Sequence, residues 1–377
     1  MLKGMETERA YWVAWLQIPG IGPILVRRIR DYFGSLAIAW TAAGGDLLAV
    51  EGLGLQLVDT ILRHRAAIAP DALLEEHERA NPHFWTLADP DYPRLLLELP
   101  DPPPVLYYRG TVPAAILTGT APTIAIVGTR SPSDYGRKWT TRITKLLVQH
   151  GYTIVSGLAE GIDTVAHRSC LEMQGPTIAV LGCGVDIIYP WSNRSLYRQI
   201  LDTGLIISEY PAGTQPDRTY FPRRNRIIAG LSRATLVMEA PAKSGGLITA
   251  HYANDYGRDV YALPGSLDNP KALGCLNLIE AGANLILEQT LLDKLGLLPA
   301  MDTPSAPIAT PPLDLAPNLA AILATLSDLA TGTNEAIAFD RLVQSTQRPA
   351  NEVSSALLEL ELMGLVTQLP GMRYQRV

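Results

Sequence analysis

Between residues 122 and 298 the chain carries six short apolar runs rich in β-branched residues, at 123–128, 153–157, 177–182, 204–209, 234–240 and 259–265. Each is separated from the next by a helix-length segment of mixed polar and apolar positions. Apolar strands alternating with helices predict an α/β fold: a Rossmann-like, doubly wound, mostly parallel sheet covered on both faces.

The flanks follow other rhythms. Residues 8–80 have a helical pattern, and IPGIGPILVRRIRDYFGS (18–35) matches a helix-hairpin-helix (SAM-like) unit. It has a Gly-x-Gly turn and a second helix made amphipathic by Leu25, Ile29 and Phe33. A fainter copy follows at 50–65. The glycines allow close backbone approach, so amides at the helix start, with Arg27, Arg28 and Arg30, suit a duplex phosphate. An αα-turn kept for packing or protein contact fits the same pattern. Residues 86–113 are proline-dense and predict an extended connector rather than regular structure.

Beyond the sheet region, 299–317 holds six prolines and little charge, the composition of a semi-extended linker. Three helical patterns (318–329, 339–346, 351–365) and a strand pair (366–377) turning at Pro370-Gly371 then give the order of a winged helix. Its third helix carries Glu352, Glu359 and Glu361 with no Lys or Arg, whereas a helix entering the major groove needs basic residues. A protein-interaction module is expected there. The domains are therefore 1–85, helical; 86–298, Rossmann-like, opening on the connector; 299–317, linker; and 318–377, winged helix.

With 377 residues, two or three domains are expected. The opening MLKGMETERAYW lacks a basic segment followed by an apolar run, and no stretch reaches the ~20 apolar residues of a membrane span. The three cysteines, Cys170, Cys183 and Cys275, match no zinc spacing and fit a reducing compartment. A cytoplasmic protein without a membrane partner is expected. The net charge of −6 argues against a chain coated in nucleic acid. Yet 218–233 carries Arg218, Arg223, Arg224, Arg226 and Arg233 with no acid among them. A polyanion site must be local.

Open α/β sheets bind ligands beyond the carboxyl ends of their strands, so the exit loops carry the chemistry. The first, VGTRSPSDYGRK, lacks the glycine fingerprint of a dinucleotide site, and no cofactor is expected. It offers Gly128, a helix start, and Arg130, whose planar fork suits a phosphodiester unless a structural carboxylate takes it. SGLAEGID adds Ser156, Gly157 and Gly161, with Asp163 as a brace for the helix that follows. LGCGVDIIYPWSN brings an aromatic pair, Tyr189 and Trp191.

The richest loop, SEYPAGTQPDRTYFPRRNRIIAGLS, sets Phe221 among Arg218, Arg223, Arg224 and Asn225. Cationic walls around an exposed ring suit a single strand: charge for the backbone, a π-face for a base. A core position for Phe221, and structural roles for one or two of the arginines, remain open. EAPAKSGGLITA contributes Lys243, Ser244 and Gly245 at a helix start, and the last loop places Asn277 and Lys271 at the rim.

In this order, IVGTR, IVSGLAEGIDTVAH, TIAVLGCGVDIIYP, SEYPAG with FPRRNRIIAGLS, SGGLITAHYA and GRDVYALPG resemble the DprA/Smf family of DNA-processing proteins. The resemblance spans nearly the whole α/β region and implies a homodimer, formed through the Rossmann-like domain, that binds single-stranded DNA. It further implies protection of incoming strands and loading of the RecA recombinase during natural transformation, without catalysis. It assigns phosphate contact to Arg130, a pocket serine to Ser156 and base stacking to Phe221. Where the family often has lysine, this chain has Arg218. Two rivals stand beside it: a Rossmann-class enzyme on a nucleotide, for which His167 and His251 lie on suitable helices, and a scaffold, which the acidic total charge favours.

Overall fold

A computed structural model of the chain describes residues 2–120, 122–296, 317–329, 337–362, 365–369 and 372–376. The described residues up to Gly296 form one compact unit and those from Pro317 a second. The linker predicted at 299–317 falls, except for Pro317, outside the described residues, as does the wing turn at Pro370-Gly371.

Nine strands form one sheet: β1 (Phe84–Thr86), β2 (Val105–Gly110), β3 (Thr123–Val127), β4 (Thr153–Ser156), β5 (Thr177–Leu181), β6 (Leu205–Ser208), β7 (Ala234–Val237), β8 (Asp259–Ala262) and β9 (Asn284–Leu285). Their order is β1-β2-β6-β5-β4-β3-β7-β8-β9, parallel from β6 to β9. All six predicted strands are present. Period-two alternation divides their side chains between the faces. Ala125, Val127, Val155, Ile178, Val180, Leu205 and Ile207 join one continuous core beneath the helices Tyr220–Gly230, Gly245–Asp255 and Leu273–Glu280. Ile124, Ile126 and Ile154 face the opposite core under Asp134–Gln149 and Ile162–Glu172. Ala179, Leu181 and Ile206 face a third cluster with Leu196 and Ile200.

The connector expected at 86–113 is more regular than its prolines imply. Strand β2 pairs antiparallel with β6, and β1 pairs antiparallel with β2, so the segment extends the sheet by two strands. The run Pro102-Pro103-Pro104 precedes β2 and Pro113 follows it, so no proline interrupts the strand and no ladder hydrogen bond is lost. The Tyr92 hydroxyl donates to the Pro103 carbonyl at 2.8 Å, and Trp85 stacks on Tyr108 at 3.9 Å. Strand β1 straddles residue 85, so the helical segment and the sheet share it.

Before the sheet, helices at Leu2–Leu16, Pro23–Phe33, Leu36–Thr41, Gly44–Leu47, Leu55–Arg65 and Pro70–Ala80 enclose a core around Trp15, Trp40, Ile29 and Ile61. The hairpin at 18–35 is present, and Gly34 closes its second helix with φ +76°. Its arginines are occupied by protein. Arg27 donates to the Leu99 and Pro100 carbonyls, Arg28 to the Glu51 carbonyl, and Arg30 to Asp31. These contacts match the packing alternative for the turn. In the second unit, helices Pro317–Leu329, Phe339–Thr346 and Ala350–Leu362 pack with a three-stranded sheet of Ile337–Ala338, Val366–Leu369 and Arg373–Arg376, a winged helix.

His167 is wholly buried in the helix Ile162–Glu172. The Thr177 hydroxyl donates to the Ile154 carbonyl, so at 2.7 Å it accepts from His167 Nδ1–H. Burial first, and the Arg224 charge second, push the His167 pKa down from 6.5 to about 3. The ring is therefore neutral in the folded protein. Its contribution to stability is complete above the unfolded value near 6.5 and is lost as pH falls from there towards 3. Urea unfolding of wild type and His167→Leu between about pH 7 and about pH 5 should show the wild type losing more stability on acidification. Parallel losses would contradict a buried neutral imidazole.

Candidate nucleic-acid interface

The strand order parts at β3. The chain steps outward through β4, β5 and β6 on one side, then returns through β7 and β8 on the other. The exit loops of β3 and β7 consequently diverge, which opens a crevice at their carboxyl ends. A cleft of about 680 Å³ lies there. Its floor depends on contact between two glycines: a methyl group on Gly246 would sit 3.1 Å from the Gly128 Cα. The Thr129 amide donates to the Glu239 carbonyl at 2.7 Å and fixes the loops at that separation.

Gly128, Arg130, Arg218, Phe221, Asn225, Lys243, Ser244 and Gly245 all line this cleft. Helix Tyr220–Gly230 presents Phe221, Asn225 and Ile228 to it, an i, i+4, i+7 stripe. Phe221 packs on Gly182, where a methyl group would come within 2.9 Å of its ring. The Tyr189 ring stacks beside Phe221, with centroids 5.4 Å apart and planes inclined 29°. The Arg130 guanidinium stands 5.7 Å from the Phe221 centroid. Asn225 Nδ2 donates to the Gly245 carbonyl at 3.2 Å, and the Ser244 hydroxyl caps its own helix by accepting from the Gly246 amide.

The charge balance is one-sided. Arg130, Arg218 and Lys243 are exposed and, among the described residues, form no ion pair. The sole carboxylate of the lining, Asp163, is buried and accepts from the Gly157 and Ala159 amides. Burial raises its pKa against the opposing pull of Arg224 and those amides. A smaller recess of about 120 Å³, lined by Gly157, Glu160 and Pro190, adjoins the cleft at Tyr189 and Phe221. The arrangement can hold a polyanion along its rim while an aromatic face meets an unpaired base.

Four of the residues expected at the site lie elsewhere or serve otherwise. Ser156 is fully buried, its hydroxyl donating to the Ile126 carbonyl at 2.6 Å, because it is the last residue of a strand covered on both faces. Arg224 touches the cleft wall but is 4% exposed and donates to the carbonyls of Gly157 and Val180, bracing the exit of β4 against the end of β5. Burial lowers its pKa to about 10, with Asp163 the foremost charge opposing the shift. Arg223, one position back on the helix, points away to a cavity between the N-terminal helices and the sheet edge, with Tyr210 and His77. Asn277 is exposed on the helix Leu273–Glu280, outside the cleft lining. Of the other arginines in the run, Arg226 is buried against Asp101 and Glu209, and Arg233 donates to the Gly119 carbonyl. His167 is buried away from the cleft, and His251 is absent from its lining. Tyr189 is the residue whose part emerges only in three dimensions. Its signal in the chain was the aromatic pair in an exit loop.

A model of the family described as DNA recombination-mediator protein A matches residues 83–295, and one described as the DprA winged helix domain matches 305–372. The chain belongs to the DprA/Smf family. It is 49% identical to the Smf protein of Synechocystis across 98% of this chain and 99% of that one. Identity to the Smf protein of Escherichia coli is 38%, covering 78% and 77% of the two chains. The crystal structure of DNA processing protein A from Streptococcus pneumoniae superposes with a TM-score of 0.66 at 35% identity, over 76% of this chain and 97% of that one. DNA processing protein A of Helicobacter pylori, solved for its single-stranded DNA binding mode, matches at TM-score 0.51 and 33% identity, over 56% and 95%. The resemblance carried by the motifs, the Rossmann-like sheet and the winged helix is thereby borne out.

The two neighbouring arginines should separate by measurement. Arg224→Met removes a buried guanidinium and strands two carbonyls, so the unfolding free energy should drop by about 3 kcal/mol. Arg223→Ala, on the surface, should change it by less than about 0.5 kcal/mol. Equal, small losses in urea titrations would refute the bracing role.

Proposed function

We propose that this DprA-family protein binds single-stranded DNA in the cleft between β3 and β7, protects it, and helps load RecA onto it during DNA uptake, without catalysing a reaction. One observation carries the reading: three exposed cations, none of them in an ion pair among the described residues, line one cleft with the stacked pair Phe221 and Tyr189. Arg130, Arg218 and Lys243 suit phosphodiesters, Gly128 and Gly245 allow the strand near backbone amides, and Phe221 suits a base. The Helicobacter pylori relative, whose structure concerns its single-stranded DNA binding mode, supports the same ligand. A nucleotide-transforming enzyme is less well served, since the lining contains no His or Cys and its one carboxylate is already satisfied. We further propose a homodimer through the sheet-bearing unit, which would present two such clefts to one strand.

Oligo-dT binding should weaken with salt, with a log–log slope near −2 if three cations contact phosphates. Arg130→Ala should make that slope shallower by roughly 0.7, whereas Phe221→Ala should weaken binding by about 5- to 150-fold and leave the slope nearly unchanged. A salt-independent affinity would remove the phosphate reading. For the later step, the full chain should hasten RecA assembly on strands coated with single-strand-binding protein, and Arg130→Ala with Phe221→Ala should not. Equal assembly rates with and without the protein would rule out a loading role.

A further inference from the structure

Past Tyr189 the chain carries a second aromatic surface. Trp191 is 67% exposed, in a short 3₁₀ turn, Trp191–Asn193, that continues from the rim of the small recess. The Arg194 guanidinium lies 4.9 Å from its ring centroid. The turn beneath it is firmly held. Ser192 donates to Glu160 Oε1 at 2.7 Å, and the buried Asn193 side chain donates to the Leu158 carbonyl at 2.9 Å and to Thr164 Oγ1 at 2.8 Å. A large apolar ring that stays in water on a tethered turn, flanked by a cation with no ion pair among the described residues, has the makeup of a stacking platform. Only Pro190 separates it from Tyr189, so their Cα atoms lie no more than about 7.6 Å apart. The platform thus lies one residue beyond Tyr189 along the chain, next to the Phe221–Tyr189 pair in sequence.

We propose that Trp191, assisted by Arg194, is a second base-stacking platform that takes a nucleotide of the strand as it leaves the cleft past Tyr189. The inference rests on the reading of the cleft as a single-strand site and extends it to a further subsite. Stacking on the indole would order the strand beyond the cleft, and Arg194, beside the ring, would meet the adjoining phosphate.

A length series of oligo-dT, bound to the full chain, tests this. Trp191→Ala should leave the shortest bound oligomers unaffected and weaken longer ones by about 5- to 150-fold, the range for loss of one stacked base. Trp191→Phe should restore most of the affinity. Tryptophan emission should be quenched by long oligomers in the wild type, and that quenching should disappear in Trp191→Phe. A loss equal at every length, or none at any length, overturns the platform. Phe221→Ala is the companion arm: if it weakens every length while Trp191→Ala changes nothing, the cleft reading stands and only the platform falls. If the wild type binds no oligomer, both fall.

Discussion

Everything at the candidate site follows from the reversal of strand order at β3. A parallel sheet whose successive strands all step the same way keeps its exit loops packed against one another. Here β4 and β7 flank β3 and their connections run in opposite directions. The loops must part, and helix starts with uncovered amides remain at the opening. The parting is limited by two contacts, the Gly128–Gly246 approach and the Thr129 amide on the Glu239 carbonyl. The buried guanidinium of Arg224 does the equivalent work one strand over, joining the loop after β4 to strand β5. The walls are consequently held by backbone, and the exposed side chains on them are free for a ligand.

A negatively charged chain can carry such a site because charge acts locally. At physiological ionic strength, exposed charges are screened beyond about 8 Å, so acids elsewhere on the surface barely alter the potential inside the cleft. What matters is which carboxylates come near. Asp101 and Glu209 are taken by Arg226, and Glu239 accepts from the Ser133 hydroxyl and amide. Asp163 is buried among amides. These acids are engaged within the fold, whereas Asp217, exposed beside Arg218, accepts from the Thr219 amide and hydroxyl; Arg130, Arg218 and Lys243 form no ion pair among the described residues.

The helix Tyr220–Gly230 explains why a run of arginines does not make a uniform patch. Successive residues turn about 100° around its axis, so neighbours meet different surroundings. Phe221 reaches the cleft, Arg223 the opposite cavity, Arg224 the interior between strands, and Arg226 a buried ion-pair cluster. Charge density along the chain was a sound guide to where a polyanion could bind. It was a poor guide to which side chains would do the binding.

The chain by itself determined the sheet, its six central strands, the hairpin turn, the winged helix and the loops that carry chemistry, because each is written in local period, glycine placement or motif. The strands β1 and β2 at one side of the sheet, and β9 at the other, were not legible. β2 takes its place by pairing with β6, a partner about a hundred residues away, and β1 by pairing with β2, which no local pattern records. The placement of Ser156, Arg223, Arg224, Asn277 and Tyr189 was likewise a tertiary matter. Burial depends on which elements pack across a residue, and the joining of Tyr189 to Phe221 depends on two exit loops brought together by strand order. Residue types and their spacing are local properties. Which of them meet, and which remain open to solvent, is decided only when the sheet closes over them.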